Sequence, residues 1–160
     1  MNLTETTIIS KAGLLPGGDV AEAAKRRENI IQMSQDAEDA VLRPKDFGAF
    51  GHDLRAALAA RVARLAADDT LAAHYLSSAG DKSELADPTE TGQAYQLETV
   101  VAFVDKVANR TREIEAGDVV HLQAAGVSDP DIVRLCELVA FIAYQVRVIA
   151  GLRLMQGSAG

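Results

Sequence analysis

The stretch LAADDTLAAHYL, residues 65–76, places acid–base groups inside an otherwise apolar, alanine-rich run. His74 is a candidate general base, because an imidazole exchanges a proton near neutral pH. Thr70 precedes His74 by one helical turn, so the two share a helix face and form a candidate hydroxyl–imidazole pair. Asp69 lies about 140° from His74 around a helix and does not share that face. His74 and Thr70 are therefore candidate catalytic residues; the alternative is a helix whose polar edge faces solvent or a subunit contact.

Among the polar residues that interrupt a strongly apolar segment near the C-terminus, Glu137, Tyr144 and Arg147 are candidates for a common site. An unpaired buried charge costs free energy, so these groups must reach water, a partner subunit or one another. Arg147 is a candidate for holding a substrate carboxylate, because its guanidinium binds carboxylates through two parallel hydrogen bonds. Arg61 is its candidate neighbour, or else a salt-bridge partner of Glu137. These four residues are candidate substrate-binding residues; the alternative is a structural ion pair or an interface network.

The chain lacks a metal-binding motif. The histidines at 52, 74 and 121 have no metal-ligand spacing, and Cys136 is the single cysteine, so neither a cysteine cluster nor an intramolecular disulfide can form. We therefore expect no metal ion and no cofactor. A His/Asp metal site assembled in three dimensions stays an open alternative.

Charge and hydropathy limit the kinds of partner that the chain can bind. The net charge is −7, and the single basic run, residues 25–27, is followed at once by Glu28. This argues against binding to nucleic acid or to anionic membranes, both of which need clustered Lys and Arg. The N-terminus has no signal-peptide pattern, and the longest strongly apolar run, LVAFIAY, is too short to span a bilayer. We expect a reducing, cytoplasmic setting.

Apolar periodicity predicts an all-α fold, because helical spacing recurs and no segment alternates as a strand does. Long helices are predicted over residues 19–42, 52–79, 93–114 and 128–155. A short helix, VVHLQAAG, is predicted to end at Gly126. The expected organisation is a flexible N-terminal arm (1–18), a single helical domain (19–156) and a disordered tail (157–160).

The last third of the chain carries a recognisable pattern, DVVHLQAAGVSDPDIVRLCELVAFIAYQVRVIAGLRLM. The pattern consists of a short helix, then the motif L-x-A-A-G-h-S-x-x-x-I, then a long apolar helix. It resembles the C-terminal part of the carboxymuconolactone decarboxylase (CMD) superfamily, which includes the alkylhydroperoxidase D-like proteins. The matching residues are Leu122, Ala124, Ala125, Gly126, Val127, Ser128 and Ile132. The resemblance covers about residues 50–155. It implies an alkylhydroperoxidase D-like bundle with two long central antiparallel helices, 52–79 and 128–155.

Residues 58–80, LAARVARLAADDTLAAHYLSSAG, are similar to the catalytic helix of that superfamily, which often reads R-V-A, then C-x-x-C, then a histidine. In the peroxidase members the two cysteines attack the hydroperoxide and close to a disulfide, while the histidine and an earlier glutamate relay the proton. His74 matches the histidine, but no cysteine is present. The cysteine positions fall at Ala67 and Thr70 when counted back from His74, or at Asp68 and Leu71 when aligned from Arg61.

The glutamate of the superfamily pattern is also missing, because its position falls near Arg55 or Ala56, with Asp53 as a nearby substitute. Cys136 lies within a predicted buried helix, where the neutral thiol is favoured over the reactive thiolate. The resemblance thus points to a subgroup without the redox cysteine pair.

Three classes of function follow from these residues. The first is a non-redox scaffold or small-molecule-binding accessory protein. The second is a non-redox enzyme that acts on a small carboxylated organic molecule with His74 as general base. The third is a residual antioxidant, peroxidase-related role through a partner paralogue. The expected partners are other copies of the chain in a homo-oligomer and either a small organic ligand or a redox-active paralogue.

Overall fold

A computed structural model describes residues 2–157, and that part of the chain contains helices and turns but no strand, which confirms the all-α prediction. The α-helices are α1 (Thr7–Ala12), α2 (Asp19–Lys25), α3 (Glu28–Leu42), α4 (His52–Leu65), α5 (Asp69–Leu76), α6 (Glu98–Asn109), α7 (Ala116–Ala124) and α8 (Asp129–Gly157). Short 3-10 helices cover Leu3–Glu5, Gly80–Ala86, Gln93–Tyr95 and Thr111–Glu113.

The N-terminal segment differs from the flexible arm expected over residues 1–18. It contains α1, whose Ile8 and Ile9 belong to the hydrophobic core. The end of α8 fixes the segment that follows, because Gln156 Oε1 accepts a hydrogen bond of 2.7 Å from the backbone N–H of Leu15. Of the expected disordered tail, Gly157 is the last residue of α8 and residues 158–160 lie outside the described range.

Two of the predicted long helices are each divided. The 19–42 helix breaks at residues 26–27 into α2 and α3, and the 52–79 helix breaks at residues 66–68 into α4 and α5. At the second break Ala67 has a φ of 58°, and the N–H of Asp68 bonds to the carbonyl of Ala63 at 2.9 Å. This is a Schellman ending with alanine in the position that glycine usually fills. Asp68 then caps α5 by accepting a 3.0 Å bond from the N–H of Leu71.

Helices α4 and α8 pack against each other at the centre, but in parallel rather than in the antiparallel arrangement expected. The N–H of Ala49, just before α4, bonds to Asp131 in the first turn of α8 at 3.2 Å. At the other end Arg153 of α8 pairs with Asp68, just after α4, at 2.9 Å. After α4 the chain runs through α5, α6 and α7 and comes back to the beginning of α4 before α8 starts. Helices α4 and α8 therefore run in the same direction.

Burial differs between the two central helices. Every residue of α4 from Leu54 to Ala63 is buried, whereas α8 leaves one side open. Helix α8 is long and apolar enough to cross a membrane, and 39% of its most apolar window is buried inside the protein. Length and composition alone are weak evidence for a membrane span, because the core helix of a soluble protein has the same properties.

Candidate functional site

A cluster of polar side chains lies where α1, α3, α5 and α8 meet, around the carboxylate of Glu38. We call this cluster the polar centre; its residues are Thr7, Gln35, Glu38, His74, Tyr75 and Gln145. Glu38 and Gln145 are each 1% exposed. Buried polar groups need partners, and none of the buried side-chain N and O atoms in the described residues lacks one.

Glu38 is held as an anion. Its Oε1 accepts a 2.9 Å hydrogen bond from the hydroxyl of Thr7, and its Oε2 accepts a 2.6 Å bond from Nε2 of Gln145. Burial alone raises the pKa of Glu38, but the bonds from His74, Thr7 and Gln145 together outweigh it and lower the pKa below its ordinary value. Glu38 therefore brings a negative charge into the core at neutral pH.

The imidazole of His74 faces this carboxylate with one nitrogen. Its Nε2 lies 3.6 Å from Oε1 of Glu38 and 3.4 Å from Oγ1 of Thr7. The single hydroxyl hydrogen of Thr7 is directed to Glu38, so Nε2 must carry the ring hydrogen to donate to Thr7. In the neutral ring Nδ1 is then the proton acceptor, and the side chain is 33% exposed.

Two amides and a phenol complete the polar centre. Gln35 Oε1 accepts a 2.8 Å bond from the backbone N–H of Thr7, which ties the beginning of α1 to α3. The hydroxyl of Tyr75 donates to Oε1 of Gln145. Burial and the nearby charge of Glu38 raise the pKa of Tyr75, so the phenol stays protonated and remains a donor.

The polar centre has the groups of a proton-transfer site, but it lies apart from the best-formed cavities of the described residues. A buried carboxylate that orients an imidazole is the usual support for a general base. The five best-formed cavities in residues 2–157 are lined by other residues and include none of Thr7, Glu38 and His74. The arrangement holds α1, α3, α5 and α8 together and leaves only the outer edge of His74 accessible.

The predicted pair of Thr70 with His74 does not form. Thr70 is exposed near the beginning of α5, and the hydroxyl beside His74 belongs to Thr7. The carboxylate of Asp68 has a structural role, since it caps α5 and binds Arg153. Of the two candidate catalytic residues, His74 alone lies in the polar centre.

Arg61 is buried, and all five of its N–H groups are used. They donate to both carboxylate oxygens of Asp105, at 2.6 and 2.7 Å, and to three backbone carbonyls at 2.6–3.0 Å. The carbonyls belong to Leu85, Asp87 and Pro88. Arg61 therefore joins α4 to α6 and to the loop after α5, and it pairs with neither Glu137 nor Arg147. No donor is left for a substrate carboxylate.

The other three candidates on α8 do not form a common site. The hydroxyl of Tyr144 lies 2.8 Å from Oγ of Ser34 and links α8 to α3. Arg147 is exposed and donates to the carbonyl of Ala143 in its own helix at 3.0 Å. Glu137 is exposed nearer the beginning of α8. Arg147 follows Gln145 by two residues, about 200° around the helix, so it faces away from the polar centre.

Cys136 lies outside the polar centre. It is partly buried on α8, nine residues before Gln145, which is roughly 13 Å along the helix axis. Burial and the charge of Glu137 raise the pKa of this thiol, so the thiolate is disfavoured. Within residues 2–157 no group of three His, Cys, Asp or Glu side chains could hold a metal ion, so the alternative of an assembled His/Asp site finds no support there.

Sequence reasoning missed most of the polar centre. The pattern of α3 carried a signal, because Ile31, Ser34, Gln35, Glu38 and Leu42 share one helix face and are all buried. A polar residue on a core-facing stripe indicates a buried partner. Thr7 gave no such signal, since residues 1–18 show no periodicity.

No family model, curated protein or solved structure matches this chain. The likeness to the CMD superfamily therefore remains a prediction from the motif at residues 122–132 and from the pattern at residues 58–80. What the chain does has to be inferred from its own residues.

Proposed function

We propose that this chain is a non-redox, small-molecule-binding accessory protein on a CMD-type, alkylhydroperoxidase D-like scaffold. The observation that supports this most directly is the make-up of the polar centre. It consists of a carboxylate, an imidazole, a hydroxyl, a phenol and two amides, and the single thiol of the chain lies elsewhere on α8. Thiol-dependent reduction of a hydroperoxide needs a thiolate as nucleophile, and the polar centre supplies none.

The positions that would hold the two cysteines support the same proposal, because they serve the junction of α4 and α5. Ala67 occupies the left-handed position of the Schellman ending, and Asp68 caps α5 and binds Arg153. Thr70 is exposed and Leu71 is buried in the core. These roles stabilise the helical frame and involve no electron transfer.

The chemical state of Cys136 tests the proposal. The full chain is treated with an excess of tert-butyl hydroperoxide at neutral pH, and its intact mass is measured alongside that of Cys136→Ser. We expect both proteins to keep their masses over minutes, because a protonated and partly buried thiol reacts slowly. Rapid formation of a sulfenic acid or of a disulfide-linked dimer in the wild type alone would overturn the proposal.

A second candidate function is favoured by one observation, the free outer nitrogen of His74. Since Nε2 faces Glu38 and Thr7, Nδ1 is available to a small molecule that approaches from solvent. His74 would then act as general base on a small carboxylated compound. Turnover of carboxylated lactones or ketones by the wild type, lost in His74→Gln and kept in Thr70→Ala, would establish this function.

We also propose that the protein is a homo-oligomer in which a second copy covers the stripe of α8 that carries Val133, Tyr144 and Met155 and leaves the neighbouring face with Arg147 open. Val133, Tyr144 and Met155 fall on one stripe of α8 and are 55%, 40% and 52% exposed. On the neighbouring helix α3, Met33 is 66% exposed. Exposed apolar side chains that recur along one helix face are a feature of protein contacts. Light scattering of the wild type and of Val133→Glu/Met155→Glu tests this, with a monomeric wild type as the contrary result.

A further inference from the structure

A groove on the protein surface runs between the end of α6, the 3-10 turn Thr111–Glu113 and the middle of α8. It holds about 760 Å³ and is open to solvent along one side. A smaller cavity of about 210 Å³ lies beside it and reaches the end of α4. Arg147 lines both, so it stands at the junction between the wide groove and its narrow extension. The combined size is that of a site for a small organic molecule.

The floor of the groove is apolar. Its apolar lining residues are Val107, Ala108, Val139, Ala140 and Ala143, and the extension adds Val62, Ala66 and Val146. These small apolar side chains give the groove and its extension a surface against which a hydrocarbon chain can pack. Burying such a chain against them is favourable because it removes apolar surface from water.

The rim of the groove carries uncompensated positive charge. Of its three arginines, Arg110 pairs with Glu113 at 3.5 Å, which leaves Arg112 and Arg147 without an acidic partner among the described residues. Arg147 uses one N–H on the carbonyl of Ala143, and its remaining donors are available. In a chain of net charge −7, two unpaired guanidinium groups over an apolar floor form a local site for an anion.

We infer that this groove binds a small amphiphilic carboxylate, with the carboxylate on Arg147 and Arg112 and the apolar chain along the α6–α8 floor. This inference rests on the proposed small-molecule-binding function and gives that function a site and a ligand class. The site is separate from the polar centre, because Arg147 points to the opposite side of α8 from Gln145. Binding there needs no participation of His74.

Octanoate is a suitable probe, and its binding is measured by isothermal titration calorimetry on the full chain. We expect saturable binding of one octanoate per chain, with octanol and octylammonium binding more weakly. Arg147→Met and Arg112→Met should each raise the Kd roughly tenfold, because each removes a charge-assisted hydrogen bond while keeping an apolar stem. Arg26→Met, at an exposed arginine between α2 and α3, is the matched control and should leave the Kd unchanged.

Two results would overturn the inference. One is the absence of saturable binding up to about 10 mM octanoate, beyond the range of a useful site. The other is binding that the two groove variants leave unchanged, which would place the ligand elsewhere. The arginines replaced are exposed, and unchanged thermal unfolding will show that the variants are folded. Neither result depends on the oxidation experiment with Cys136. Failure of octanoate to bind would therefore refute the proposed ligand site in the groove and not the non-redox character of the protein.

Discussion

Oε1 of Glu38 lies 3.6 Å from Nε2 of His74, and the hydroxyl of Thr7 bridges the two, at 2.9 Å from the oxygen and 3.4 Å from the nitrogen. Three helices that are distant in sequence thus meet at one carboxylate. Its other oxygen is bound by Gln145 of α8. The buried carboxylate of Glu38 stabilises the packing of the helices that supply its hydrogen-bond donors. Loss of any one donor is costly, because part of the buried charge is then left without a partner.

Glu38→Gln should lower the free energy of unfolding by roughly 2–3 kcal/mol at neutral pH, because the amide places a donor against the donors of Thr7 and Gln145. Urea unfolding measures this. The pKa of Glu38 is lowered from 4.5 in the folded protein. Its contribution is therefore complete above that value and is lost as the pH falls through the lower folded pKa.

The control for this prediction is Glu90→Gln, at an exposed glutamate in the loop before α6. Glu90→Gln should have the same free energy of unfolding as the wild type at neutral pH. It should also lose stability in acid as the wild type does, whereas Glu38→Gln should show less of this loss. If both variants unfold at the same urea concentration as the wild type, Glu38 does not stabilise the fold.

Thr7→Val should cost about 1–3 kcal/mol, because it keeps the shape of the side chain but removes a hydrogen bond to a buried carboxylate. The loss should be greatest at α1, so amide hydrogen exchange there should accelerate more than in α4. Thr4→Val, at an exposed threonine in the preceding 3-10 helix, is the control. Equal exchange in the two variants would mean that Thr7 does not fasten α1.

Arg61→Lys should destabilise the protein by roughly 3 kcal/mol, because an ammonium cannot replace five donors arranged in a plane and leaves buried carbonyls unpaired. Arg64→Lys, one turn further along α4 at a partly exposed position, should change the free energy of unfolding by less than about 0.5 kcal/mol. Thermal unfolding of both variants measures the contrast. Similar melting temperatures would argue against a structural role for Arg61.

Ala67→Gly should stabilise the protein by about 0.5–1 kcal/mol, since glycine adopts a φ of 58° without the steric cost that alanine incurs. Ala66→Gly, at the preceding residue with a φ of −91°, should instead be neutral or destabilising. Chemical unfolding of the two variants compares them directly. A destabilising effect of Ala67→Gly would contradict the left-handed ending of α4.

Apolar spacing predicted the all-α class, the location of α7 and the extent of α8. It succeeded because α8 is long and because Gly126, with a φ of 86°, marks the end of α7. The junction at Ala67 did not, because alanine is a poor signal for a left-handed turn, although Asp68 was a readable helix start. The parallel packing of α4 and α8 depends on the path of the whole intervening chain, which no local pattern records.

Of the candidate site, His74 was predicted from its setting, while its partners Glu38 and Thr7 come from helices far away in sequence. Pairings of this kind depend on tertiary packing. Arg61 and Arg147 looked alike in the sequence, but Arg61 is buried and makes five hydrogen bonds, whereas Arg147 is exposed at the groove and makes one, to the carbonyl of Ala143.

The proposed function involves no thiol redox chemistry. The most direct measurement is the steady-state consumption of tert-butyl hydroperoxide, with a dithiol as reductant, by the wild type and by Cys136→Ser. The proposed function predicts that both proteins consume hydroperoxide no faster than the reductant alone. Catalytic consumption by either protein above that background would contradict it.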